Sequence, residues 1–273
     1  MKRIVNYSPN SAVGILLTLL PFAIMLVVYL IGSHLRLSVN PDDKLMPSFS
    51  SIGQQIWEYA FSENRRTGGV LLWVDTWASL QRILAGLAIS SVLCVVIGLP
   101  VGFIPYLQRT FGPFFDALSL IPPLAVLPIL FIIFGLGEES KIVLIVVGIT
   151  PFLVRDVVLA VEQIPREQII KAQTLGASSW HMMIMVVLPQ ILPRLLDSIR
   201  LSLGAAWLFL IAAEAIASEA GLGYRIFIVR RYLQMDVILF YVAWITLLAY
   251  AMDYILAQSS RYFCRWYHVG KAS

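Results

Sequence analysis

Side chains that make or break bonds have to meet, and few sets in this chain are spaced to do so. His34, His181 and His268 are too far apart to suggest a metal cluster, and Cys94 and Cys264 have no CxxC partner. Gly270-Lys271 lacks both the earlier glycine and the adjacent Ser or Thr of a phosphate-binding loop. There is no HExxH and nothing like a nucleophile elbow. The polar groups that stand out suit docking and passage instead. Arg166, Glu167, Gln168, Lys171, Gln173 and Thr174 crowd one short stretch. Glu214 follows the apolar run Trp207 to Ala213. Pro122, Pro123 and Pro128 would free backbone carbonyls inside an apolar segment. The reading is a non-enzyme with no catalytic residue and no metal of its own.

The elements that position these groups are membrane helices. Of 273 residues 59% are hydrophobic and 13% charged, where a soluble domain has about 25% charged. The apolar residues fall in blocks long enough to cross a bilayer, which takes about 20 residues each. The net charge of +4 follows from basic flanks around spans and requires no nucleic acid. The pattern predicts an all-α integral membrane protein with six transmembrane helices: Ala12–Gly32, Thr76–Ile104, Pro113–Phe134, Lys141–Ala160, Leu195–Ala217 and Val237–Gln258. The third, with its three prolines, cannot be one regular helix. A turn is expected at Gln108-Arg109, and Ser140 is a candidate cap for the fourth span.

The chain divides into residues 1–75, a signal-anchor helix and outer polar segment; 76–260, the core; and 261–273, a tail. The basic start Met1-Lys2-Arg3 before a long apolar run with no cleavage site suits a retained anchor. Pro47-Ser48 can open a short helix, either lying in the membrane surface or packed on the bundle. Lys and Arg in the flanks divide eleven to nine in favour of an inner N-terminus. An even number of spans then puts both termini in the cytoplasm, with lipid around the bundle.

That orientation exposes Gln163 to Arg194 to the cytoplasm. Pro165 can open a helix there, Gly176 permits a sharp bend, and Ser178 can cap a second helix ending at Leu188-Pro189. An interfacial loop and a docking site fit these residues equally well.

Ala172-x-x-x-Gly176 followed by Val186-x-Leu188-Pro189 resembles the EAA motif of type I ABC importer permeases. Leu80–Gly86, Ile121–Pro128, Phe134–Lys141, Thr174–Ser178, Ala212–Glu214 and Gly221–Tyr224 are similar to the nitrate/sulfonate/taurine group, so the resemblance covers about residues 45–260. Leu188–Leu195 and Gly223–Tyr232 most resemble a branch linked to urea or guanidine carboxylase.

The resemblance implies a type I ABC importer permease fold in the bacterial inner membrane. It also implies a second copy as homodimer partner, a periplasmic solute-binding protein, and a separate ABC ATPase subunit carrying ATP and Mg. The solute would be of the nitrate, sulfonate or taurine type, or a small nitrogen compound such as urea or guanidinium, with the nitrogen compound preferred. The coupling residues would be Glu167, Ile170, Lys171, Ala172, Gly176, Ala177, Ser178, Leu188 and Pro189. Ile170 stands where the motif has its glutamate, so a carboxylate contact there would have to come from Glu167 or be replaced by apolar burial. Pro122, Pro123, Pro128 and Glu214 are candidates for the translocation path, although Glu214 also suits a hydrogen-bonded helix-end carboxylate. Arg225, Arg230 and Arg231 suit either flank anchoring or an acidic binding protein, and Arg155-Asp156 suits a local pair closing the fourth helix. The alternative class is a secondary transporter or channel with no ATPase. Against it, the chain lacks the two similar halves with matching broken helices expected of inverted-repeat carriers.

Overall fold

The computed structural model describes residues 10–40, 43–63 and 69–269. The basic start Met1-Lys2-Arg3, the pairs Pro41-Asp42 and Arg65-Arg66, and Lys271 lie outside them. Among the described residues the secondary structure is helical apart from an isolated bridge between Glu63 and Val70. The helices are α1 (Ser11–Val39), α2 (Phe49–Phe61), α3 (Leu71–Phe103), α4 (Pro105–Ser119), α5 (Pro123–Phe134) and α6 (Glu138–Glu162). They continue with α7 (Arg166–Thr174), α8 (Ser179–Ala217), α9 (Leu222–Arg230), α10 (Met235–Phe263) and α11 (Arg265–Val269). Five are long and apolar enough to cross a membrane, and there are six spans when α4 and α5, bent 95° at their junction, count as one. The proline-rich third span is thus broken, at Leu120–Pro122.

Several local expectations are corrected. Gln108 and Arg109 lie inside α4, because the chain turns earlier, at Ile104-Pro105. Helix α6 starts at Glu138 with Gly137 as its cap residue, and Ser140 bonds back to the Gly137 carbonyl at 3.0 Å. The helix that Ser178 opens does not end at Leu188-Pro189, since α8 runs on through Pro189 and Pro193 to Ala217. A π-helical turn, Met183–Val187, precedes Pro189, and the Leu188 N–H reaches back five residues to Met183. A widened turn relieves the clash that a proline ring makes with the preceding turn. The same device, Cys94–Gly98, precedes Pro100 in α3.

Helix α6 is the central post, buried along much of its length at Leu144, Ile145, Ile149, Leu153, Val154 and Val157. Helix α3 lies against it through glycines. A Cβ on Gly86 would fall 2.7 Å from the Ile145 side chain, and one on Gly102 3.0 Å from that of Val161. Close backbone approach of this kind is how membrane helices gain packing without a hydrophobic drive between them. Gly86→Leu is therefore expected to separate α3 from α6 at a cost of about 2–3 kcal/mol, read as a lower unfolding midpoint of the detergent-solubilised protein.

Two belts of ion pairs bracket the apolar layer. One joins Arg82, Glu138, Lys141, Glu214, Asp75 and Arg225; the other joins Arg155 to Asp116, Arg194 to Asp156, and Arg200 to Asp253. Arg155 and Asp156 therefore do not pair with each other: neighbours on a helix point to different faces. Along α6 the belts stand about 27 Å apart (Glu138 to Asp156, at 1.5 Å per residue), close to the hydrocarbon thickness of about 30 Å.

Helix α2 packs on the bundle. Ser48 caps it by accepting from Ser51 N, Tyr59 meets Tyr241 edge-on at 6.0 Å, and Ser51 bonds Asp236. Trp57 and Phe61 remain exposed on its other face. By contrast α1 has no buried residue in its most apolar stretch. It is tied to the rest near its end, through Tyr29 to Pro47 O at 2.8 Å and Ser33 to Pro47 O at 3.2 Å.

Candidate functional site

The candidate in residues 163–194 is built around a helix stop. Helix α7 ends at Thr174, and Gly176 takes φ +80°, the left-handed region that costs an L side chain about 1–2 kcal/mol. Ala177 N donates to Ala172 O at 3.1 Å and Gly176 N to Gln173 O at 2.9 Å. Those two bonds make a Schellman motif, which explains the Ala-x-x-x-Gly spacing: Ala172 supplies the carbonyl that the residue after the glycine must reach. Ser178 then starts α8, its Oγ accepting from His181 N at 3.3 Å. Of the nine candidate coupling residues, Glu167, Ile170, Lys171, Gly176 and Ser178 are exposed, and Ala172, Ala177, Leu188 and Pro189 are half-buried.

The exposed surface of this helix–turn–helix is greasier than its composition suggests. Leu175 is 87% exposed, Trp180 66% and Ile170 56%. Behind α7 lies a cleft of about 940 Å³, bounded by Phe103, Ile104, Gln108, Glu162, Arg166 and Ile170. Ile170 thus sits on the rim between the cleft and water. Such a surface can dock a protein through apolar burial, with Glu167 and Lys171 at the edge.

The path candidates are not brought together. Pro122, just before α5, and Pro128 within it are exposed, whereas Pro123 packs toward α6, where a Cβ on Gly148 would meet it at 3.2 Å. Glu214 is fully buried. Its Oε1 accepts from Ser79 Oγ and Arg82 Nη1, both at 2.7 Å, and its Oε2 from Gly223 N at 2.8 Å. Arg82 also donates to Ala220 O at 2.8 Å and holds Glu138 through Nε and Nη2. Gly221 N donates to Asp75 Oδ1 and Leu222 N to Ser79 Oγ. Three successive N–H groups at the start of α9 are therefore met by carboxylate or hydroxyl oxygens from α3 and α8. A Cβ on Gly221 (φ +138°) would lie 2.5 Å from the Glu214 carboxyl carbon.

Arg225 is part of the same network and is not a flank charge. It pairs with buried Asp75 at 2.7 Å, and Tyr241 Oη donates to the same carboxylate at 3.2 Å. Burial alone would lower the Arg225 pKa, but the bonds and charge of Asp75 outweigh it, so the pKa is raised. Arg230 lies over the Phe227 ring at 5.0 Å. Sequence reasoning passed over Asp75, Ser79, Arg82, Glu138 and Lys141 as site residues. The available signal was an arginine eleven residues into an apolar helix, a costly placement that requires a partner.

The described residues form an all-helical membrane bundle with charge belts at both faces and a capped helix–turn–helix at one end, an arrangement suited to a transport subunit. The chain belongs to the family of binding-protein-dependent transport system inner membrane components, which it matches over residues 94–263. It is 34% identical over 196 residues to the taurine transport system permease protein TauC of Escherichia coli K12, covering 72% of this chain and 71% of the relative. It is 29% identical to the putative aliphatic sulfonates transport permease protein SsuC of the same organism, covering 84% and 86%. A solved structure of the MetNI methionine ABC transporter in inward-facing conformations superposes with TM-score 0.60 at 25% identity, covering 71% of this chain and 96% of that one. The chain is thus the multi-pass inner-membrane permease subunit of an ABC importer, with ATP hydrolysis on a separate subunit. An ATPase-free carrier or channel is ruled out by that membership.

Proposed function

We propose that residues 163–193 dock the ATPase subunit, with α7 as the inserted helix and Gly176 as its fixed stop. The supporting observation is the Schellman turn, which holds Ile170, Leu175 and Trp180 out in water beside the inner charge belt. ATP-driven closure of the ATPase would then move α7, and through α8 the bundle, between inward- and outward-open arrangements. In this orientation both termini are cytoplasmic, α1 is a retained anchor, and α9 faces the binding protein. Glu214 would act as a brace for α9, with the path running along α5.

A second copy of the chain would complete that path. Helix α5 has 12 residues, about 18 Å of rise, too short to cross alone. It leaves Ile132 83% exposed and Leu120, before it, 76% exposed. A short, bent helix with an uncovered apolar face suits the seam of a two-fold dimer.

The solute would be a small oxyanion of the sulfonate type, by likeness to the taurine and sulfonate permeases, in place of the urea or guanidinium class preferred from sequence. The ligand held by the cognate binding protein tests this directly, and a ligand with no oxyanion group would overturn it. The docking reading is tested at Ile170. Ile170→Glu replaces an exposed apolar side chain with a carboxylate and is expected to weaken co-purification of the ATPase by about tenfold, as for a lost contact worth 1.4 kcal/mol. Unchanged co-purification would mean that Ile170 lies outside the contact.

A further inference from the structure

The outer belt contains three cations, Arg82, Lys141 and Arg225, and three carboxylates, Asp75, Glu138 and Glu214. They balance, but they are not equally enclosed. The Asp75 and Glu214 side chains have no exposure, while those of Arg82 and Lys141 have 6% and 3%. The Glu138 side chain is 61% exposed. Two buried cations therefore converge on the one carboxylate of the set that stands in solvent.

The geometry around that carboxylate is the geometry of an oxyanion site. Arg82 presents Nε and Nη2 to its two oxygens, a bidentate fork, and Lys141 Nζ donates to Oε1 at 2.9 Å. A planar guanidinium with an ammonium beside it recognises sulfonate or carboxylate oxygens in the same way. The arm that carries Glu138 is uncrowded. A Cβ on Gly135 or Gly137 would meet nothing within 4 Å, and Leu136 between them is exposed. Rotation of the Glu138 side chain alone takes its carboxylate into water, where it can be solvated. The two cations cannot follow, because they are enclosed.

We infer that Arg82 and Lys141 form an anion site masked by Glu138, and that a small oxyanion takes the place of the Glu138 carboxylate when that side chain swings out. Displacing the carboxylate conserves the charge balance, since one anion leaves as another arrives. A solute with no anionic group cannot make the exchange, so the mask would also select for an oxyanion. Arg225 is held by Asp75 and stays out of the exchange. This proposal rests on the oxyanion reading of the solute, but its test uses the permease and not the binding protein, so the two can fail separately.

The test uses the full-length permease purified with its ATPase subunit, and methanesulfonate as the probe at constant ionic strength, with chloride, which has no oxygens to fill the fork, as the balancing anion. Glu138→Gln removes the mask and leaves Lys141 buried without its partner. It is expected to lower the unfolding midpoint and to recover about 4 °C or more on saturation with methanesulfonate, while the wild type responds at higher concentration. Glu138→Gln combined with Lys141→Gln removes a positive charge as well, and should lose the methanesulfonate response. If Glu138→Gln does not assemble, Glu138→Asp, one methylene short of the fork, should show the same gain in response over wild type. A midpoint that ignores methanesulfonate in the Glu138 variants, or a response that persists in the double variant, overturns the site.

Discussion

Arg82→Met will destabilise the end of the bundle around α9 by about 3–5 kcal/mol, the cost of leaving one member of a buried ion pair without the other. The argument lies in what Arg82 leaves behind. Glu214 has no exposure and keeps two acceptor contacts, to Ser79 and Gly223 N. Those dipoles orient the carboxylate without neutralising it. Its remaining choices are to take up a proton or to draw water into the packing around Ala213 and Leu222, both fully buried. The Ala220 carbonyl loses its donor at the same time, freeing the loop that leads into α9. The unfolding midpoint of the detergent-solubilised protein should fall, and less full-length chain should accumulate in membranes. Glu214→Gln in the Arg82→Met background removes the stranded charge while keeping an acceptor for Gly223 N, so it should restore part of the loss. A double variant as impaired as the single one would put the loss down to packing around the arginine stem.

The belts also explain what could be read from the residues and what could not. The spans were legible because apolar blocks report bilayer thickness directly. The 95° break was legible because three prolines in one block forbid a continuous ladder. Pro189 misled because a proline stops a helix only when the preceding turn is regular, and the π-helical turn at Met183–Val187 has no sequence signature separate from its apolar neighbours. Arg82, Lys141 and Arg225 were counted as flank charges because charge position along the chain does not reveal burial. The partners of Arg82 and Arg225 lie 56 and 150 residues away, and that of Lys141, three residues back on its own helix, is itself held by Arg82. Hence a rule based on flanking cations gave eleven against nine, while three of those nine belong to a neutral buried cluster. At the α7–α8 turn the reverse held. Gly176 and Ser178 act through bonds to residues within five positions, so their roles as stop and cap were visible locally. Whether α7 docks anything was not visible there, because the partner is another chain.

Gly176 allows folding and coupling to be separated. Its φ of +80° strains any residue with a Cβ, yet a Cβ there would meet nothing within 4 Å. A substitution is therefore penalised by backbone conformation and by nothing else, and a β-branched residue is penalised most. Gly176→Val should cost about 1–2 kcal/mol, applied entirely to the turn. The bundle is unaffected, since the turn is exposed and α8 keeps its Ser178 cap. Membrane insertion and the unfolding midpoint should stay near wild type. What changes is the ratio of molecules with α7 stopped in the right place to those without: it falls by about 5- to 30-fold for that cost. Solute-stimulated ATP hydrolysis by the reconstituted complex should fall by a similar factor, while ATP hydrolysis by the isolated ATPase is untouched. Gly176→Asn provides the control, because asparagine tolerates the left-handed region and serves at helix stops. It should retain most of the coupling that valine removes. Equal loss in both variants would mean that the side chain itself obstructs the ATPase; normal coupling in Gly176→Val would mean that the turn does not transmit the stroke.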